Sequence, residues 1–357
     1  LAGIPADAQA AFAQAAAADG KPGWKITLKM PSYLPVMQYA DNRELRQTLY
    51  KAYATIASDQ AENTDLDNSD VIEQLLRLRA EKAKLLGYDS FADLRLETRM
   101  ADNAHQVIDF LNDLARRALP FAQRDLEQLK AHAQQLGIAD FQPWDAAYVS
   151  EKLRQSQYNY SEDEVKQYFT EPQVLNGLFD VAQRLFGVEF KPATLSVWHP
   201  DVKAYEVHNQ HQQAIGYLYI DLYARSGKQG GAWVNSERSR RYHPDGLYLP
   251  VTYLICNFSA PQDNKPALLT HDDVITLFHE SGHALHNLLS TVDEPDVSAF
   301  AAVEWDAIEL PSQFMENFCW EYPVLKTLSA HVDTQEPLPL ALYQKLVAAK
   351  NFQSGMQ

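Results

Sequence analysis

Cysteine is almost missing from this chain: 357 residues contain two, Cys256 and Cys319, far apart and in no C-x-x-C spacing. That excludes a disulfide framework and a thiolate metal site, and it suits a reducing compartment such as the cytoplasm. Long apolar runs are missing too. None approaches the ~18 residues of a membrane helix, so no membrane partner is expected. Positive charge is short, with 31 Lys and Arg against 47 Asp and Glu and a net charge of −16. Such a surface repels a phosphate backbone unless a basic stripe opposes the average. The densest basic cluster, Arg238 to Arg241, is short and lies in a polar loop, so nucleic acid is excluded as a partner. An initiating Met is absent at Leu1, as in a processed chain or a piece of a longer one. The Ala-rich residues 1–20 lack the basic start and continuous apolar stretch of a targeting peptide.

What is present reads as globular. Hydrophobic residues make up 46% and charged residues 22%, the usual proportions of a folded chain, and the length allows about two domains. Most of residues 40–190 has helical periodicity. From Asp70 to Leu86, one stripe carries Ile72, Leu75, Leu76, Ala83 and Leu86, with Asp70 and Glu73 as an N-terminal cap pair. Gly87, Gly137 and Gly187 each follow a periodic segment, as left-handed helix caps do. Pro120 predicts a kink or a break between Asn103 and Leu136. Near residue 195 the period changes. Asp201–His208, Ile215–Tyr223 and Leu249–Phe258 read as strands, with the Gly-rich stretch Ser226–Asp245 as a loop or edge and the Tyr-rich strands as core. Helical character returns from His271. The expected fold is mainly α with a small inserted β-sheet, divided into a helical region 1–190 and a region 191–357 holding the sheet and the helices that follow it.

The chemistry concentrates in His279-Glu280-Ser281-Gly282-His283, an H-E-x-x-H pattern. Residues i and i+4 share a helix face one turn apart, so two imidazoles can meet one Zn²⁺. Glu280 is rotated ~100° from His279, beside the metal, where it can act on water. Thr270 and Asp273 are a capping signature, and Val274, Leu277, Ala284, Leu285 and Leu288 supply a buried face. The competing reading is two surface histidines flanking a glutamate. Gly282 is costly in a helix interior, which points to a close neighbour. His286 lies about 10.5 Å along the axis from His279, too far to join both other histidines on one metal, so packing is its expected role.

A catalytic zinc needs a third protein ligand. Asp293, Glu294, Asp296, Glu304, Asp306, Glu309, Glu316 and Glu321 are the downstream candidates. Residues 303–321 read as a second helix, with Asp306, Glu309, Gln313 and Glu316 on one polar face. Periodicity does not choose between Asp306 and Glu309.

At these residues the chain resembles the thimet oligopeptidase family of zinc metallopeptidases, most closely its bacterial oligopeptidase A branch. The matching segments are His279–His283 followed by Val303–Asn317, with Pro31–Met37, Trp198–Val202, Tyr219–Arg225, Gly230–Trp233 and Asn257-Phe258. The family has a glutamate ligand just before a P-S-Q run, and Glu309 stands there. Ser281 occupies the position of the family's Phe in H-E-F-G-H. Ser298–Ala302 replaces a run of small residues, often Gly, which adopt positive φ more cheaply than Ala. Family chains continue at both ends, so this one looks like their middle portion.

The resemblance implies a zincin-like helical core between two helical lobes flanking a channel, and a monomer hydrolysing short peptides. His279, His283 and Glu309 would hold one Zn²⁺ per chain. Glu280 would be the catalytic base, and Asp306 would orient a ligand histidine. Gly230, Gly231 and Ala232 would offer backbone to the substrate. Asp221 with Arg225, and His199, read as structural. Two further readings are a zinc-binding chain of weak activity, lacking groups that stabilise the developing oxyanion, and a peptide-binding scaffold without catalysis.

Overall fold

Helices fill the first half of the chain. The computed structural model describes residues 1–261 and 265–356. Its first nine α-helices are α1 (Ala6–Ala18), α2 (Met30–Tyr39), α3 (Arg43–Ala54), α4 (Ser69–Leu85), α5 (Phe91–Leu96), α6 (Ala104–Gln135), α7 (Ala146–Tyr158), α8 (Glu162–Lys166) and α9 (Glu171–Phe186). Asn42, Ser90, Asn103 and Ser161 each accept a first-turn backbone N–H with a side-chain oxygen, which starts four of these helices. Gly87, Gly137 and Gly187 stand at φ of 85°, 81° and 67° at helix ends, a conformation that a side chain would disfavour.

Three local expectations shift. Helix α4 begins after Asn68, whose side chain makes no cap bond, and Asp67 instead accepts from the Ser69 N–H and hydroxyl. Of its apolar stripe only Ala83 is buried; Ile72, Leu75, Leu76 and Leu86 face solvent. Helix α6 runs unbroken through Pro120, because proline removes a single ladder bond and the turns on either side carry the helix on.

Among the described residues seven strands follow: β1 (Glu189–Pro192), β2 (Lys203–His208), β3 (Ala214–Tyr223), β4 (Trp233–Arg238), β5 (Arg241–His243), β6 (Gly246–Tyr248) and β7 (Val251–Phe258). The main sheet has the order β1-β2-β3-β7-β4, and β5 and β6 form a separate hairpin. Among the described residues only the β3–β7 pair is parallel. The stretch expected as loop or edge thus holds β4, the free edge of the sheet beside β7.

The sheet has two unlike faces. Leu218, Ile220, Leu254 and Cys256 are buried in the main core with Leu175 and Leu178 of α9 and with Leu277 and Phe278 of α10 (His271–Leu288). The core therefore crosses residue 190. Tyr219 and Tyr253 point the other way and meet Trp198 and each other, so these two lie outside that core, whereas Tyr223 at the end of β3 is buried within it. The expected helix over 303–321 is broken: a 3₁₀ turn at Trp305–Ala307, α11 (Leu310–Glu316), then a 3₁₀ turn at Asn317–Trp320. Pro311 explains the interruption, since it fits a helix's first turn and has no N–H with which to continue the ladder to the Ala307 carbonyl. Helices α12 (Tyr322–Leu328) and α13 (Leu340–Ala349) complete the core.

One buried charge organises the outer face. Asp221 is 1% exposed. Its carboxylate accepts from Arg225 at 2.7 and 2.8 Å, from Lys228 at 2.8 Å and from Trp198 Nε1 at 2.9 Å. Burial alone would raise this carboxyl, but those bonds outweigh it and hold it down at about 2. A carboxylate depressed in the folded state contributes stability above its unfolded pKa and loses it as pH falls through the folded value. Asp221→Asn is therefore expected to cost about 2–3 kcal/mol at pH 7. Denaturant titrations of both proteins should converge as pH falls from about 4 towards 2. A cost that stays constant with pH would assign the effect to packing.

Candidate metal centre

Helix α10 is fixed at its start by a reciprocal cap. Thr270 Oγ1 accepts the Asp273 N–H at 3.0 Å and Asp273 Oδ2 accepts the Thr270 N–H at 2.9 Å. Val274, Leu277, Phe278, Ala284, Leu285 and Leu288 are buried. With that stripe inside, His279 and His283 share another stripe one turn apart, with ring centroids 5.1 Å apart.

Gly282 sets the distance to the next element. A Cβ built there would lie 2.3 Å from the Pro311 carbonyl oxygen and 2.5 Å from Ser312 Cα, so the α11 backbone rests directly on α10. This approach brings Glu309, just before α11, over both histidines. Its Oε2 lies 3.2 Å from His279 Nε2 and 3.1 Å from His283 Nε2. One ligand atom from each of the three residues falls within 4.8 Å of the others. Ser312 Oγ donates to Glu309 Oε2 at 2.8 Å. Burial alone would raise the Glu309 carboxyl, but the Ser312 bond and the two imidazoles outweigh it and lower it. Burial lowers His283, which favours the neutral ring that a metal requires.

Glu316 supplies the partner that orients His279, with Oε1 at 2.6 Å from Nδ1. We assign the ring proton to Nδ1, which leaves the Nε2 lone pair aimed at the centre. Asp306 is elsewhere: its Oδ2 accepts the Met100 N–H at 3.2 Å. The signal for Glu316 was in the sequence, on the polar face that Glu309 shares. It was not separable from Asp306 until Pro311 broke the helix between them. Of the other acidic candidates, Asp293 pairs with Arg240 at 2.6 Å.

Glu280 is 6% exposed and its Oε2 has no hydrogen-bond partner. Burial pushes its carboxyl up to about 7. Two imidazole nitrogens, a carboxylate oxygen and an orphaned buried carboxylate beside them are the donor set of an open metal site. His286 packs edge-on against Phe300 at 5.5 Å, and Phe300 also meets the His283 ring at 6.2 Å. Phe300 belongs to a short strap in which Ser298 is buried and lies 2.9 Å from Ser290, Oγ to Oγ. Ala299, next to it, stands at φ 49°.

Gly230 and Gly231 are exposed, with open space where a side chain would be. Asn257 Nδ2 holds the carbonyls of Gln229 and Gly231 at 2.8 and 2.7 Å. The chain then passes through Ala232 into β4, the sheet edge. His199 lies 3.4 Å from Asp201.

A model of peptidase family M3 matches residues 36–357. The chain is 48% identical over 360 aligned residues to oligopeptidase A of Salmonella typhimurium, covering all of this chain and 53% of that protein. Oligopeptidase A of Escherichia coli matches at the same identity and coverage. Saccharolysin of Saccharomyces cerevisiae is 32% identical over 93% of this chain and 48% of its own length. The chain thus spans about half the length of the curated relatives it matches.

Two substitutions test this geometry. Gly282→Ala should cost about 1–3 kcal/mol in thermal unfolding and should weaken divalent-metal uptake, because α11 and Glu309 must move together. Glu316→Ala should lower metal affinity about 10- to 100-fold with little change in fold. Unchanged affinity in a chelator-competition titration would remove Glu316 from the site.

Proposed function

The chain belongs to peptidase family M3, and on that premise we propose that it acts as a zinc-dependent endopeptidase on short peptides in the cytoplasm. The observation that carries the reading is the convergence of His279 Nε2, His283 Nε2 and Glu309 Oε2, with Glu280 beside them. Two imidazoles and a carboxylate suit zinc and leave a position open. When bound, the ion supplies Lewis acidity, lowering the pKa of water and polarising a peptide carbonyl.

The chain's own residues do the rest. Glu280 takes a proton from the attacking water and returns it to the leaving amine. A carboxyl near pH 7 suits both steps. Glu316 holds His279 in the tautomer that presents Nε2. The open edge at Gly230–Ala232 and β4 pairs with substrate backbone, giving affinity without demanding particular side chains. Cys256 and Cys319, both free and buried, support a reducing compartment.

Metal analysis should give one zinc per chain. Glu280→Gln should keep that zinc and lose about 10²- to 10⁴-fold of the hydrolysis of a quenched peptide. Absence of stoichiometric zinc, or full turnover in the variant, would overturn the reading. Zinc uptake without any wild-type turnover would leave metal binding alone.

A further inference from the structure

The face of the main sheet turned away from α10 carries a second site. In the β4–β7 ladder, Trp233 pairs with Ile255 and Asn235 with Tyr253, whereas Val234 pairs with Leu254 and Ser236 with Thr252. Leu254 is in the core and Thr252 bonds Asn287 of α10, so Trp233 and Asn235 face the opposite way. There a cavity of about 410 Å³ opens along the sheet edge, lined by Trp198, Asp221, Arg225, Lys228, Trp233 and Asn235 among others.

Its charge does not balance. Asp221 is the one acid in the lining, shared between Arg225 and Lys228. The Lys228 ammonium spends its hydrogens on Asp221 and on the Tyr223 carbonyl. Burial lowers Lys228 below its ordinary value despite Asp221, and Arg225 lowers it further. A third cation, Lys29, donates to the carbonyls of Arg225 and Lys228 at 2.9 and 3.0 Å from outside the same loop. Outside the lining, Asp201 also acts on Arg225, and Glu237 is engaged with Tyr253. In a chain of net charge −16, this lining is exceptional in holding two cations to one acid. The Arg225 fork keeps N–H groups beyond the two given to Asp221.

We propose that this cavity is a carboxylate subsite, filled by an acidic side chain or the free C-terminus of a peptide added to the open edge of β4. This deepens the reading of the chain as acting on peptides and rests on it. Successive residues of an added strand face opposite sides, and residues two apart lie about 6.6 Å apart on one side. Every second side chain therefore faces the cavity, while its neighbours face the side of α10.

The test is fluorescence anisotropy with labelled hexapeptide amides in which one Glu, or one Gln, is walked along the sequence. Glu should bind about tenfold tighter than Gln at positions recurring every second residue. The ratio should shrink as salt rises from about 50 to 500 mM. Free-acid peptides compared with amides show whether the terminus is the source. Asn235→Asp places a carboxylate in the cavity and should bring the Glu/Gln ratio towards one. The subsite is overturned if Glu and Gln, and acid and amide, bind alike throughout, or if the ratio survives Asn235→Asp. Binding is measured with and without added zinc, beside hydrolysis. A Glu preference without hydrolysis removes the peptidase reading and keeps the subsite; hydrolysis without the preference does the reverse.

Discussion

The contact between Gly282 and the Pro311 carbonyl is the constraint on which the cluster of His279, His283 and Glu309 depends. Two histidines one turn apart define a direction but do not close a site. Closure needs a carboxylate from another segment, and a glutamate side chain is short. With any side chain at position 282, the backbone of α11 would stand farther off and Glu309 would fall short of both imidazoles. Pro311 contributes at the same point, since it starts α11 immediately after Glu309. Close approach, helix start and ligand position are thus one local arrangement.

Electrostatics separates the two faces of the sheet. Around α10, Glu280, Glu309 and Glu316 gather about two imidazoles. Three carboxylates partly shielded from water repel one another, and a cation relieves that repulsion. On the opposite face two cations share Asp221. The sheet separates an anion-rich site from a cation-rich one, and β4 borders both because its residues alternate between the faces.

Much of this was legible from residue order. The cap at Thr270 and Asp273, the apolar face of α10 and the spacing of His279 and His283 are local patterns, and local patterns survive folding. Glu309 came from a family resemblance, since periodicity left it level with Asp306. Asp306, expected to orient a ligand histidine, instead holds Met100, and Glu316 meets His279, because Pro311 breaks what reads as one helix. The α4 stripe failed for another reason: amphipathicity says which side is apolar, not whether anything covers it. The edge strand β4 was hidden because its Gly-rich approach and charged end resemble a loop, and only pairing with β7 makes it a strand.

The strap over His283 carries a consequence through Ala299. An alanine held at positive φ sits roughly 1 kcal/mol above its relaxed state, and the burial of Ser298 and the Phe300 ring contacts must hold it there. Local opening releases that energy, so the open strap is about fivefold more populated than it would be without the strain. The segment works as a weak spring pressed against His283, and its amides should exchange with solvent ahead of those of the helix it covers.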